Sequence, residues 1–122
     1  MKKRVLVTGG CGFVGHHVVE HLLKTTDWSV LVFDKLSYAA NGLERLRDIN
    51  VFDDRRVTVM TSDFALPISE GVAREIGQLD YIFHLGAETH VDRSIDDPAP
   101  FVMTNVVGTM HLLNFARQVK GL

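Results

Sequence analysis

Hydrophobic positions along this chain follow two alternating rhythms. Short apolar runs stand at Arg4 to Thr8, Ser29 to Phe33, Val57 to Ser62 and Tyr81 to Leu85. Between them, apolar residues recur every three or four positions, the spacing of one helix face. The runs predict four strands. The first helix is expected from Phe13 to Lys24, with Val14, Val18, Val19, Leu22 and Leu23 on its apolar side. A short helix is expected over Leu43 to Ile49. A weak one follows over Pro67 to Ile76, interrupted by Gly71. Asp96-Asp97-Pro98-Ala99-Pro100 combines capping carboxylates with proline in a first turn, so a last helix should run from there to about Lys120. That helix carries two apolar stripes, Met103/Val106/Val107/Met110/Leu113 and Leu112/Phe115/Ala116/Val119. Both cannot face one sheet, and one must lie open in a monomer.

Strands alternating with helices predict an α/β fold with a parallel sheet and right-handed crossovers. The unbroken run at Val30 to Phe33 suits a strand covered on both faces. The mixed alternation at Val57 to Ser62 suits a strand nearer an edge. The expected order is 3-2-1-4, a Rossmann-type sheet with its later strands absent. Asp53-Asp54-Arg55-Arg56 reads most simply as a solvated turn.

The join between the first strand and helix carries the most chemistry. Thr8-Gly9-Gly10-Cys11-Gly12-Phe13-Val14-Gly15 places glycines where a chain must turn sharply, approach a diphosphate closely and pack a helix onto a strand. The helix N-terminus then offers N–H groups and the positive end of its dipole. Asp34 ends the second strand 19 residues after Gly15, where a carboxylate accepts bonds from an adenosine ribose. Its charge would repel a 2′-phosphate, so NAD is expected over NADP. Asp63 and Phe64 stand at the height of an adenine ring. Gly86-Ala87-Glu88-Thr89 leaves the sheet at the carboxyl edge, where ligands of such sheets bind. Cys11 is either a small residue fitting the turn or a thiol activated by the helix terminus.

Composition narrows the field. The 122 residues predict one domain, residues 1–122. A net charge of −2 gives no reason to expect nucleic acid or an anionic membrane surface, and no apolar run is long enough to span a bilayer. One cysteine excludes an intrachain disulfide and fits a cytoplasmic location. Met1-Lys2-Lys3 leads into a strand without a signal-peptide region.

The glycine loop, Asp34 to Asn41, His84 to Ile95 and Thr104 to Thr109 together resemble the extended short-chain dehydrogenase/reductase family of nucleotide-sugar enzymes. His90-Val91-Asp92-Arg93-Ser94 is most similar to its 4,6-dehydratase branch. The resemblance implies NAD as cofactor and a nucleotide sugar of the dTDP-glucose type as substrate. It implies that Phe13 and Val14 meet the diphosphate through their backbone, and that Lys35, Leu36 and Ser37 line the ribose beside Asp34. Leu85, Gly86, Ala87 and Glu88 would run along the nicotinamide half, with Thr104 near the cofactor and Thr89 and His90 toward the sugar. Ala40, Gly86 and His16 stand where the family usually has glycine, alanine and serine. The resemblance further implies a homodimer interface at the last helix, and the edge of the fourth strand invites pairing with another chain.

The family's hydride chemistry uses a Tyr-x-x-x-Lys pair, in which the lysine lowers the tyrosine pKa. Tyr38 and Tyr81 are followed four residues later by Gly42 and Leu85, so no catalytic residue is assigned here. The family's Thr-Asp-Glu dehydration run is also missing. The chain is therefore expected to be an inactive amino-terminal fragment. His17-Val18-Val19-Glu20-His21 fits the H-x-x-E-H zinc-peptidase spacing, but a solvated helix face explains the same residues, and no metal is expected.

Overall fold

The computed structural model describes residues 2–35, 43–49, 51, 54–63, 65–89, 91–119 and 121–122. Four strands, β1 (Arg4–Thr8), β2 (Ser29–Asp34), β3 (Val57–Thr61) and β4 (Tyr81–His84), form a parallel sheet in the order β3-β2-β1-β4. This is the Rossmann-type order expected from the alternation. β1 and β2 lie side by side at the centre, Val5 opposite Val30 and Thr8 opposite Phe33. β4 pairs with β1 so that Thr8 lies opposite His84. All four strands run the same way, so Thr8, Asp34, Thr61 and His84 finish at one edge.

The two central strands bury alternate side chains on opposite faces, as a period of two requires. Val5, Val7, Val30 and Val32 pack with Val19 and Leu22 of α1 (Phe13–Thr25) and with Leu46 of α2 (Glu44–Asp48). Leu6, Leu31 and Phe33 pack on the other face with Ile76 of α3 (Glu70–Ile76), Leu79, Leu112 and Phe115. Each such side chain, fully buried, contributes about 1.5–3 kcal/mol.

Four local expectations are corrected. Val14 has the spacing of the apolar side of α1 and yet is 60% exposed. It sits in the first turn, past the edge of the sheet, where nothing covers it. Gly71 does not interrupt its helix: α3 starts at Glu70, with the Ser69 hydroxyl accepting from Val72 N at 3.2 Å, so Gly71 falls in the cheap first turn. Arg56 is not a solvated turn residue. Its guanidinium donates to Leu23 O at 2.8 Å and Thr26 O at 2.6 Å, closing the end of α1, while pairing with Asp54 at 3.0 Å. That arginine holds the Asp54 carboxyl below its usual range.

The last helix is the fourth correction. A separate α4 (Val91–Asp96) precedes it. Then α5 (Ala99–Phe101), a π-helical segment (Val102–Val107) and α6 (Gly108–Ala116) follow end to end. The wider π turn rephases the helix so that Thr104 faces inward, 2% exposed, while Leu112 and Phe115 still reach the sheet. Met103, Val106, Met110 and Leu113 are left between 46% and 63% exposed. The open stripe expected from the sequence is this one.

Candidate functional site at the carboxyl edge of the sheet

The turn after β1 is shaped by contacts that leave no room for side chains. Gly9 has φ of +71°, a left-handed conformation, and donates its N–H to Phe33 O at 2.9 Å. A Cβ there would lie 2.7 Å from Gly86 N. A Cβ on Gly15 would collide with Gly9 O, so the start of α1 rests directly on the turn. Gly12 N donates to Gly9 O at 2.9 Å, and the Gly12 carbonyl accepts from His16 N at 3.1 Å. The His16 ring is buried, its Nδ1 2.9 Å from that carbonyl, and so folds back onto the turn. No side chain caps α1 and no carboxylate stands in its first turn. The amides of that turn are thus presented at the sheet edge with the side chains of Phe13 and Val14 projecting outward, an arrangement that fits an anionic group.

Asp34 is 4% exposed and closes the neighbouring strand. Its Oδ2 accepts from Cys11 N at 3.0 Å, which ties the glycine turn to the end of β2. The activated-thiol reading of Cys11 is overturned. Burial first, and the Asp34 charge second, push its pKa up to about 12. Ser62 N donates to Asp34 O at 3.0 Å, bringing the β3 exit alongside. Asp63 follows there, exposed, its Oδ1 accepting from Ala65 N at 2.9 Å.

The β4 exit is held by a network that sequence reasoning did not anticipate. Thr8 Oγ1 accepts from Leu85 N at 3.0 Å and Gly86 N at 3.1 Å, and stands 2.6 Å from His84 Nδ1. His84 Nε2 is 3.0 Å from Thr109 Oγ1, whose hydroxyl donates to Asn105 O at 2.7 Å. The Asn105 amide accepts from Glu88 N at 2.9 Å and donates to Glu88 O at 3.0 Å, gripping the loop backbone at two points. Burial lowers the His84 pKa from its ordinary 6.5. Lys35 Nζ lies 2.6 Å from Glu88 Oε1 and 3.5 Å from Thr104 Oγ1. The segments His84 to Ile95 and Thr104 to Thr109 stand out in the sequence, but of the side chains in this network only Lys35, Glu88 and Thr104 carry an expected role.

The structure therefore gathers Gly9, Gly12, Gly15, Asp34 and Gly86 around one turn, and Lys35, Glu88 and Thr104 around one contact. Leu85, Ala87 and Thr89 are exposed along the same edge. Leu36, Ser37, Phe64 and His90 lie outside the described residues. His17 and His21 are exposed on α1, beside a Glu20–Lys24 pair at 3.7 Å. Among the described residues, no three His, Cys, Asp or Glu side chains are placed to share a metal ion.

Comparison with known proteins agrees with this geometry. A family model described as GDP-mannose 4,6 dehydratase matches residues 6–122. A dTDP-glucose 4,6-dehydratase of Escherichia coli is 46% identical over 114 residues, covering 93% of this chain and 31% of the relative. The crystal structure of a dTDP-glucose 4,6-dehydratase from Streptomyces venezuelae with NAD bound superposes with a TM-score of 0.81 at 40% identity, over 93% of this chain and 35% of that one. A UDP-N-acetylglucosamine 4-epimerase from Methanobrevibacter ruminantium M1 gives 0.76 at 30% identity, over 96% and 35%. The chain thus spans about a third of the length of the relatives it matches.

Proposed function

The chain belongs to the family described as GDP-mannose 4,6 dehydratase, and from that premise we propose that it is the NAD-binding part of a nucleotide-sugar 4,6-dehydratase, acting on a sugar of the dTDP-glucose type. The observation that carries the reading is the glycine turn, pressed backbone to backbone on the β4 exit and tied to the buried Asp34. In this reading residues 1–122 are one NAD-binding domain. Gly9, Gly12 and Gly15 bring backbone to the diphosphate, which the amides of Phe13 and Val14 hold. Asp34 accepts from the adenosine ribose, with Lys35, Leu36 and Ser37 beside it. Asp63 and Phe64 border the adenine. Leu85 to Glu88 and Thr104 line the nicotinamide half, and Thr89 and His90 face the sugar. When bound, NAD supplies the hydride acceptor for oxidation at hexose C4 and returns the hydride after water is eliminated.

None of these residues provides the base for that oxidation. Tyr81 has Leu85 where a lysine would be needed, as Tyr38 has Gly42. The 122 residues are therefore assigned binding and orientation, not turnover. The likeness to a 4-epimerase favours, as a second reading, another NAD-dependent nucleotide-sugar enzyme built on the same domain. The open stripe on Met103, Val106, Met110 and Leu113, together with the β4 edge, supports a homodimer, and the single cysteine fits a cytoplasmic location. Among the described residues, no helix is long and apolar enough to cross a membrane.

Calorimetric titration with NAD and with NADP tests the assignment. NAD should bind more tightly; equal or tighter NADP binding overturns it. Light scattering at tens of micromolar should show a dimer, and dTDP-glucose should not be converted by the chain alone.

A further inference from the structure

We propose that His84 is a positioning residue for the dinucleotide crevice: neutral, it locks the β4 exit to the glycine turn, and protonated, it releases both. The proposal deepens the NAD-binding reading and rests on it for its effect on affinity.

Counting protons fixes the state of the ring. Asn105 O can only accept, so the Thr109 hydroxyl proton, 2.7 Å away, must point at it. Thr109 Oγ1 is then an acceptor toward His84 Nε2 at 3.0 Å, and Nε2 must carry the hydrogen. A neutral imidazole has one N–H, so Nδ1 presents its lone pair to Thr8 Oγ1 at 2.6 Å and takes the Thr8 proton. That leaves the two lone pairs of Thr8 Oγ1 for Leu85 N and Gly86 N, at 3.0 and 3.1 Å. Leu85 N also leans on the Thr8 carbonyl at 3.2 Å, so its N–H is shared between the two Thr8 oxygens, whereas the Gly86 N–H is held by the hydroxyl. The other tautomer would put three donors on the Thr8 oxygen and leave the 2.7 Å Thr109–Asn105 approach without a hydrogen.

An imidazolium fails for the same reason. Its Nδ1–H would meet an oxygen that already accepts two backbone N–H groups, and the Thr8 proton would lose its acceptor. Either Thr8 turns, dropping Gly86 and leaving Leu85 N on the Thr8 carbonyl alone, or the ring leaves. The consequence reaches the cofactor side directly, because Gly9 packs where a Cβ would stand 2.7 Å from Gly86 N. Through Thr109 and Asn105 the same network holds both backbone groups of Glu88.

Among the described residues, the charged or titratable groups on the surrounding elements are Cys11 in the glycine turn, Asp34 at the end of β2, Lys35 and Glu88 paired with each other, and His111 two residues past Thr109. Arg4 stands at the opposite end of β1. Burial, rather than any of these charges, is the cause that lowers the His84 pKa. The sign follows. The folded value lies below the unfolded 6.5, so the lock is complete above that pH and is lost as pH falls through the folded value.

The test follows the ring nitrogens of His84 and the amides of Gly9, Leu85 and Gly86 by NMR in the 15N-labelled 122-residue chain, from about pH 8 to about pH 5, with NAD titrations alongside. The expected result is an Nε2–H ring that titrates once below 6.5, with all three amides shifting at the same midpoint. NAD affinity should fall about fivefold or more across that midpoint, the worth of one hydrogen bond. An Nδ1–H ring at neutral pH, amides indifferent to the titration, or constant NAD affinity through it overturns the proposal. His84→Gln, which cannot titrate, should hold NAD affinity constant within about twofold; a drop in the same window assigns it elsewhere and overturns the proposal. Thr109→Val, should His84→Gln not fold, removes the acceptor of Nε2–H and should move the Nε2 resonance and the titration midpoint while Nδ1 keeps its bond from Thr8. An unchanged ring would equally overturn it. A chain that binds no NAD at any pH defeats the functional reading instead, and the ring and amide signals still decide the lock.

Discussion

Residues 4–34 and residues 91–116 solve the problem of covering apolar surface in opposite ways. In β1 and β2 every residue after the first is buried, and the glycine turn between β1 and α1 is packed backbone against backbone and tied to the Asp34 carboxylate. In α4 no residue is buried, and Val91 and Ile95 are 71% and 74% exposed. The π segment and α6 press Thr104, Leu112 and Phe115 inward and leave a second apolar stripe open. The strands of the first region are covered on both faces by the rest of the chain. The second completes only its inner face and offers the outer one to another surface. A close-packed site that must hold a ligand in fixed geometry belongs in the first kind of region, and an association surface in the second.

The closure of the first region shows most strongly in its one cysteine. Cys11 is fully buried, and burial with the Asp34 charge pushes its pKa up to about 12, so almost none of the thiol is ionised near neutral pH. Alkylation of the native chain should run at least a thousandfold slower, to order of magnitude, than in denaturant. Comparable rates would mean the turn opens freely. Next in size, Gly15→Ala drives a methyl group into Gly9 O and should cost at least about 4 kcal/mol in urea unfolding, or abolish folding.

Leu31→Ala empties a site that is 1% exposed and should cost about 3 kcal/mol. Asp34→Ala should weaken NAD binding about tenfold and narrow its margin over NADP, since hydrogen bonds to a charged group are lost. Smallest of all, Leu113→Ala, at a site 61% exposed, should change the monomer's stability by less than about 0.5 kcal/mol while weakening self-association in light scattering. A Leu113→Ala cost equal to that of Leu31→Ala in dilute protein would erase the distinction between the two regions.

Local signals were enough for the four strands, the glycine turn and the place of Asp34, and strand–helix alternation for the sheet order. Those signals are unbroken apolar runs for central strands, glycine where a Cβ cannot fit, a carboxylate where a strand ends. The two stripes of the last helix were legible for the same reason, since each is a periodicity. Tertiary structure alone decided where that helix widens into a π turn, because the break serves Thr104 against Lys35 and Asn105 against Glu88, partners from loops distant in sequence. It decided that Arg56 closes α1 and that Val14, apolar and correctly spaced, stands outside the sheet. It decided the state of His84, whose bond to Thr8 spans 76 residues. A hydrophobic pattern records which face of an element is apolar. It carries no information about which polar group will meet another once parallel strands bring their ends to a common edge, and that meeting is what sets the protonation and geometry of this site.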